Sequence, residues 1–259
     1  MRHQRLNRRR FVWRALLASL PLVAADAGWL EPGWVKIKTV RIAEEKPRHR
    51  LAHITDLHHK GDRPYLESVV RKLNALSPDL VCFTGDLVED APYLKETLDI
   101  LSGIKAPLYG VPGNHDYWAK LPFEDIRQTF AATGGAWLMD GQASLAGGKL
   151  LIHGAACRSL SVPFPYPVPE AINVLLMHYP AFVDALVGRR FNLILAGHSH
   201  GGQVRIPFWG AIHVPFDVGP YEKGLFQTAA GPLYVNPGIG WFLWRIRFNC
   251  RPEITVFEV

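Results

Sequence analysis

The alternation of apolar and polar positions divides the chain into short strands and amphipathic helices. Residues 35–42 (Val-Lys-Ile-Lys-Thr-Val-Arg-Ile) alternate with period two, as a half-buried strand does. Residues 51–55 form a second strand pattern that ends at Asp56. Leu66, Val69, Val70, Leu73 and Leu76 recur at helical spacing, and Pro64 suits the first turn, where its missing N–H costs nothing. Ser77-Pro78-Asp79 breaks that helix, and the apolar run 80–84 predicts a buried strand ending at Gly85-Asp86. A further helix is predicted over 93–101, then a strand over 107–111. In the second half, strands are expected near 149–153, 173–177, 192–196, 203–206, 233–236 and 254–258, with a helix around 181–187. Strands that alternate with helices early and predominate late predict an α/β fold of two packed sheets flanked by helices.

The N-terminus departs from this pattern. Residues 1–14 hold six arginines (Arg2, Arg5, Arg8, Arg9, Arg10 and Arg14) and no acid, which leaves 23 basic and 23 acidic residues in the rest of the chain. The net charge of +6 therefore belongs to the N-terminal segment, and the near-neutral remainder indicates no nucleic-acid-binding surface. The apolar stretch 15–25 is 11 residues long and contains Pro21. A spanning helix needs about 20 residues, so this stretch predicts a signal-peptide core rather than an anchor. Arg8-Arg9 followed by Phe11 resembles a twin-arginine export signal, with Asn7 and Val12 departing from the preferred residues. Ala25-Asp26-Ala27 offers small residues for cleavage. An uncleaved amphipathic segment on a membrane surface is the alternative. The expectation is a leader over 1–30 and one domain over 31–259. The twin-arginine export machinery would deliver it to the periplasm or the outer face of the inner membrane; a cytoplasmic, membrane-associated enzyme is the alternative. Cys82, Cys157 and Cys250 have no CxxC spacing, so they predict structural thiols rather than a disulfide framework or zinc ribbon.

Candidate chemistry gathers just after strand ends, where α/β architectures place their sites. In order these signals are Asp56-Leu57-His58, Gly85-Asp86, Gly113-Asn114-His115-Asp116, His178 and Gly197-His198-Ser199-His200. Singly, an aspartate after a strand is a turn or helix cap, and a histidine is a satisfied polar residue. Together they supply carboxylates, an amide oxygen and imidazoles, the donors that bind Zn, Mn or Fe, with no thiolate in competition.

The order DxH, GD, GNHD, H, GHxH resembles the calcineurin-like metallophosphoesterase superfamily from about residue 50 to the C-terminus. Three further stretches, Glu31-Pro32-Gly33-Trp34, residues 201–207 (GGQVRIP) and Asn249-Cys250-Arg251-Pro252-Glu253, resemble its bacterial exported or membrane-associated phosphodiesterases with twin-arginine leaders. The resemblance implies a four-layered α-β-β-α sandwich. It implies one metal held by Asp56, His58 and His200, a second held by Asn114, His178 and His198, and Asp86 bridging the two. It further implies that a hydroxide bridging the two divalent ions attacks phosphorus in a phosphodiester or phosphomonoester, while His115 protonates the leaving group. Either Asp116 or Glu89 would orient His115. A pyrophosphatase acting on a lipid-linked sugar nucleotide (UDP-diacylglucosamine type) is the enzymatic alternative, and an inactive scaffold a third reading. Gly154-Ala155-Ala156-Cys157-Arg158 lacks the acidic residues common at that loop, so substrate choice transfers poorly.

Several other residues carry two readings. His59 is either close to the site or without a role, and His53, His153 and His213 are expected to be structural. Arg205 and Arg251 either meet a phosphate or pair with acids. Aromatic residues beside arginines in 241–247, and the loops 207–209 and 163–166, suit either core packing or a membrane interface and lipid-accepting groove.

Overall fold

In the computed structural model, which describes residues 8–157 and 166–259, the apolar runs pair into two six-stranded mixed sheets. The strands are β1 (Lys36–Arg41), β2 (Arg50–Ile54), β3 (Leu80–Phe83), β4 (Leu108–Gly110), β5 (Ala136–Trp137), β6 (Gln142–Leu145) and β7 (Leu150–Gly154). They continue with β8 (Ile172–Leu176), β9 (Leu193–Ala196), β10 (Arg205–Ile206), β11 (Gly210–Ala211), β12 (Gly224–Thr228), β13 (Gly231–Val235) and β14 (Glu253–Glu258). The first sheet runs β1-β14-β2-β3-β4-β5 and the second β12-β13-β9-β8-β7-β6, while β10 and β11 form a separate hairpin. The helices are α1 (Arg8–Ala25), α2 (Arg63–Leu76), α3 (Leu94–Leu101), α4 (Asn114–Trp118) and α5 (Phe123–Ala132).

Three apolar layers hold the sheets. Leu66, Val69 and Leu73 of α2, Leu101 of α3 and Phe130 of α5 cover the outer face of the first sheet, against Ile54 and Phe83. Leu51, Cys82, Ile152, Val174 and Leu195 fill the space between the sheets. Leu175, Ile194 and Leu233 on the outer face of the second sheet meet Val183 and Leu186. The layering is the expected α-β-β-α, with one correction in the fourth layer. The helix expected over 181–187 is a 3-10 helix, Pro180–Ala185, confined between Pro180 and Gly188 with too few residues for a stable α-helix. The strand expected over 203–206 is only the two-residue β10. α2 begins where expected because the Asp62 carboxylate accepts the Tyr65 N–H at 3.3 Å, and it ends at Ser77 in a left-handed conformation.

One buried histidine makes this core acid-sensitive. His53 of β2 is fully buried, and its Nε2 lies 2.8 Å from Thr84 Oγ1. Burial depresses its pKa from 6.5 to about 3. Between those values the unfolded chain binds a proton that the folded chain refuses, so stability falls as pH drops below 6.5. The contribution is about 1.4 kcal/mol per pH unit. His53→Gln should therefore flatten the acid limb of the stability–pH curve measured by urea denaturation; an unchanged slope would contradict a neutral buried His53.

The N-terminal helix is longer than its apolar core suggested. Helical backbone continues past Ala25 through a π-helical segment, Asp26–Leu30, and a 3-10 turn, Glu31–Gly33. The run Arg8–Gly33 spans 26 residues and is long and apolar enough to cross a membrane by length and composition, a test that signal sequences pass too. The helix is thus longer than the 11-residue apolar run, a length that a signal sequence and an anchor share. The expected leader boundary at residue 30 falls within a stretch already fastened to the body. The Arg247 N–H donates to Ala27 O at 2.9 Å, and the buried Glu31 carboxylate accepts the N–H groups of Asn249 and Cys250. Arg247, itself fully buried, gives its guanidinium to the carbonyls of Pro237, Gly240 and Cys250.

Candidate metal centre

The site is built where parallel strands end. β2, β3 and β4 run parallel in the first sheet, as do β8 and β9 in the second. Asp56 and His58 follow β2, Asp86 follows β3, Asn114 follows β4, His178 follows β8, and His198 and His200 follow β9. Every predicted metal-ligand residue is buried. The turns that present them are strained: Asp56, His58, Asp86, His198 and His200 all have positive φ, from 39° to 65°. Such left-handed residues cost roughly 1–3 kcal/mol each and persist where the surroundings over-determine them. Close approach also demands glycine. A Cβ on Gly113 would lie 2.1 Å from Asp86 Oδ1, and one on Gly85, where φ is +102°, would lie 2.6 Å from His178 Nδ1.

Two donor sets meet at Asp86. In the first, His58 Nε2 is 3.1 Å from His200 Nε2 and 3.3 Å from Asp86 Oδ2, and Asp56 Oδ1 is 3.4 Å from His200 Nε2. In the second, His178 Nε2 is 3.0 Å from Asn114 Oδ1, 3.2 Å from His198 Nδ1 and 3.3 Å from Asp86 Oδ2. Donors held ~2.1 Å from one ion stand roughly 3.0–3.4 Å apart, so both sets have the spacing of a coordination shell. The same oxygen, Asp86 Oδ2, belongs to both.

The groups behind these donors fix their orientation. His178 Nδ1 donates to Thr84 O at 2.6 Å, His198 Nε2 donates to Phe216 O at 2.9 Å, and His58 Nδ1 faces Glu89 Oε2 at 2.9 Å. Metal-bound histidines are held this way, with the second ring nitrogen on a carbonyl or carboxylate. Both Asp56 oxygens accept the His198 N–H, and Asp86 Oδ1 accepts the His115 N–H at 2.8 Å.

Electrostatics point the same way. Burial alone would lower His58, yet its hydrogen bonds to Asp86 and Glu89 and the nearby carboxylate charges raise it to about 10. Burial likewise opposes His178, which Asp86 and then Asp56 raise to about 9. Against its own burial, Asp86 is held well below the usual carboxylate range by His178 and His58. Burial and the charge of His178 push His198 down to about 3; burial and the charge of His58 push His200 well below its ordinary value. With His178 Nδ1 and His198 Nε2 both donating to carbonyls, the facing nitrogens of that pair meet as lone pairs, which a proton or a cation between them would satisfy.

His115 stands apart from both sets. Its ring meets His58 edge-on at 4.6 Å and lies against Trp118 and Phe242, in a cleft of about 600 Å³ that opens over the ligands. Its Nδ1 is 3.6 Å from Glu89 Oε2, so Glu89 serves both His58 and His115. Asp116, the other orienting candidate, is committed elsewhere. Its carboxylate accepts the N–H groups of Asp86, Leu87 and Gly113, pinning two ligand turns together.

Residues 49–202 match the sequence pattern of the calcineurin-like phosphoesterases, which covers more than half of the chain. The chain belongs to the calcineurin-like phosphoesterase family. It is accordingly a metal-dependent phosphoesterase, a hydrolase of a family that uses a dinuclear metal centre. Among its relatives, the uncharacterized metallophosphoesterase YkuE of Bacillus subtilis is 27% identical, over 99% of this chain and 98% of its own. Phosphodiesterase YaeI of Escherichia coli is also 27% identical, over 98% and 99%. The UDP-2,3-diacylglucosamine pyrophosphatase LpxG of Chlamydia trachomatis is 26% identical, over 94% of each chain.

The remaining candidates divide cleanly. His59 Nε2 pairs with Glu96 at 2.6 Å and packs on Tyr93, outside both donor sets. His53 and His153 are buried structural residues, bonded to Thr84 and Asn173, whereas His213, expected to be structural, lines the cleft. Arg205 pairs with Glu222 at 3.0 Å and Arg251 stacks on Trp34, so neither faces the cleft. Arg158 and residues 163–165 lie outside the described residues. Sequence reasoning missed the carbonyls of Thr84 and Phe216, which carry no side-chain signal. It also missed the cleft wall at Ile212, Pro215 and Phe216, an apolar run with no strand or helix period.

Proposed function

We propose that this chain hydrolyses a phosphodiester, with phosphomonoesters as the neighbouring substrate class, at two divalent ions (Mn, Fe or Zn). Asp56, His58 and His200 would hold one ion and Asn114, His178 and His198 the other, with Asp86 shared. The ions supply charge neutralisation at the phosphoryl oxygens and an acidified water as nucleophile. The observation that carries the reading is Asp86 Oδ2, placed 3.3 Å from a ligand histidine of each set. His115 holds the proton for the leaving oxygen. With Nδ1 turned toward Glu89, its Nε2 remains for a substrate in the cleft. The clustering of the seven expected ligand residues supports this reading over an inactive scaffold.

A second reading is a pyrophosphatase acting on a lipid-linked sugar nucleotide. The apolar cleft wall of Trp118, Ile212, Phe216, Phe242 and Leu243 favours it, together with the similarity to LpxG. A panel of phosphodiester, phosphomonoester and pyrophosphate substrates, run on the metal-loaded chain, separates the two. Turnover greatest on a phosphodiester supports the first reading, and turnover confined to a pyrophosphate overturns it.

For location, we propose export by the twin-arginine route, on Arg8-Arg9 at the start of α1. Changing both residues to lysine should leave folded, metal-loaded protein in the cytoplasm. Undiminished delivery across the membrane would contradict that route.

A further inference from the structure

The surface around the cleft mouth is apolar out of proportion to the rest of the molecule. Residues 206–216 contain no charged residue, and the β10–β11 hairpin within them carries a fully exposed Phe208 and a Trp209 that is 83% exposed. Ile212 and Phe216 continue this surface along the cleft rim. Across the cleft, 241–247 is no core strand: Leu243 is exposed and Trp244 is 73% exposed. A monomer rarely leaves contiguous apolar surface of this kind to water unless something covers it.

The N-terminal segment indicates what covers it. The described side chains of α1 are largely exposed, the run Arg8–Gly33 is apolar enough for a bilayer, and its C-terminal end, where Glu31 and Pro32 are buried, is fastened beside the cleft rim. Arg247 N–H holds Ala27 O there, and Gly33 lies near the Arg245 guanidinium. Trp29 and Leu30, at the root of that run, are themselves exposed. Arg245 is the exposed basic residue of the rim, 3.9 Å from the Asp62 carboxylate, and Arg8, Arg9, Arg10 and Arg14 add positive charge on α1. Exposed tryptophan and phenylalanine beside arginine suit the interfacial layer of an anionic bilayer, where aromatic rings sit at headgroup depth.

We infer that the face formed by the β10–β11 hairpin and the 241–246 rim docks on a phospholipid bilayer, with the cleft mouth opening into the headgroup layer. On the hydrolase reading above, a cleft seated in this way takes a phosphoester of a membrane amphiphile, its apolar part against Phe216, Phe242 and Leu243 and its phosphate at the ligands.

The test uses the full chain bound to phosphatidylethanolamine–phosphatidylglycerol vesicles that carry nitroxide-labelled lipid. In a Cys157→Ser background, where the other two cysteines are buried, an environment-sensitive fluorophore is attached at Phe208→Cys or at Lys105→Cys. Lys105 precedes β4, at the end of the sheet opposite the ligands. The account expects lipid nitroxide to quench the label at 208 and not the label at 105. No quenching at 208, or a desolvated label there that only a second protein explains, would overturn it. Because this readout involves no hydrolysis, it stands or falls separately from the proposed activity. A second arm replaces Phe208 and Trp209 with serine in the otherwise native chain. Turnover of a soluble nitrophenyl phosphodiester should hold while hydrolysis of a vesicle-borne lipid phosphodiester drops several-fold; an unchanged rate on the vesicles would overturn substrate delivery from the bilayer.

Discussion

Asp86→Asn should abolish hydrolysis, by more than about 10³-fold, exceeding the loss of a single stabilising donor. The side chain keeps its volume and can still accept the His115 N–H, so the change is one of charge. A neutral amide would face His58 and His178 together, the two histidines that Asp86 raises most strongly toward the charged form. It would also balance two dications with one carboxylate fewer. Metal content should fall with activity, and thermal stability in chelator should fall too, since His58 and His178 lose the carboxylate that favours their charged forms. Metal analysis and turnover on one preparation check this. Near-normal turnover with both ions retained would contradict the shared-carboxylate assignment.

His115→Ala should behave differently. Turnover should fall by roughly 10²–10⁴-fold, the range for a positioned acid–base group, with metal content close to normal. The ring packs edge-on against His58 and lies against Trp118 and Phe242, with Glu89 at its Nδ1, but it belongs to neither donor set, and its backbone N–H to Asp86 is one that alanine preserves. Burial lowers the pKa of His115, followed by opposing influences from Asp86 and His58, so the ring releases its proton more readily than an exposed histidine. The deficit should shrink for a nitrophenolate leaving group, which needs little protonation, and be greatest for an alkoxide. An equal deficit across leaving groups of very different pKa would point to binding or general electrostatics instead.

The candidate ligand residues were legible in the sequence because each follows a strand run, at Asp, Gly-Asp, Gly-Asn-His, Gly-His or, for His178, the end of the run itself. Strand ends are readable from apolar runs, and parallel strands of a layered fold bring their ends to one edge. The glycines belong to the same signal, since Gly85 and Gly113 stand where any side chain would collide with a ligand residue. What stayed hidden depends on tertiary packing. Asp116 adjoins His115 in sequence and Glu89 does not, and only the hydrogen bonds show Asp116 consumed by three amides. α4 and α5 lie in a stretch whose five-residue first helix shows too little of its period to read. The 241–247 segment could be core or surface by composition, and buried Arg247 beside exposed Trp244 shows it to be both. The length of the N-terminal helix was hidden as well, because its apolar run ends at Ala25 while its helical backbone does not.

Metal stoichiometry of the full chain, measured by elemental mass spectrometry after loading with Mn, Fe or Zn and removal of free ion, tests the central claim most directly. Two donor sets sharing Asp86 Oδ2 should retain two ions per chain, with both His198→Ala and His200→Ala lowering that number. A chain that retains no ion, or only one that survives loss of either histidine, would contradict a dinuclear centre.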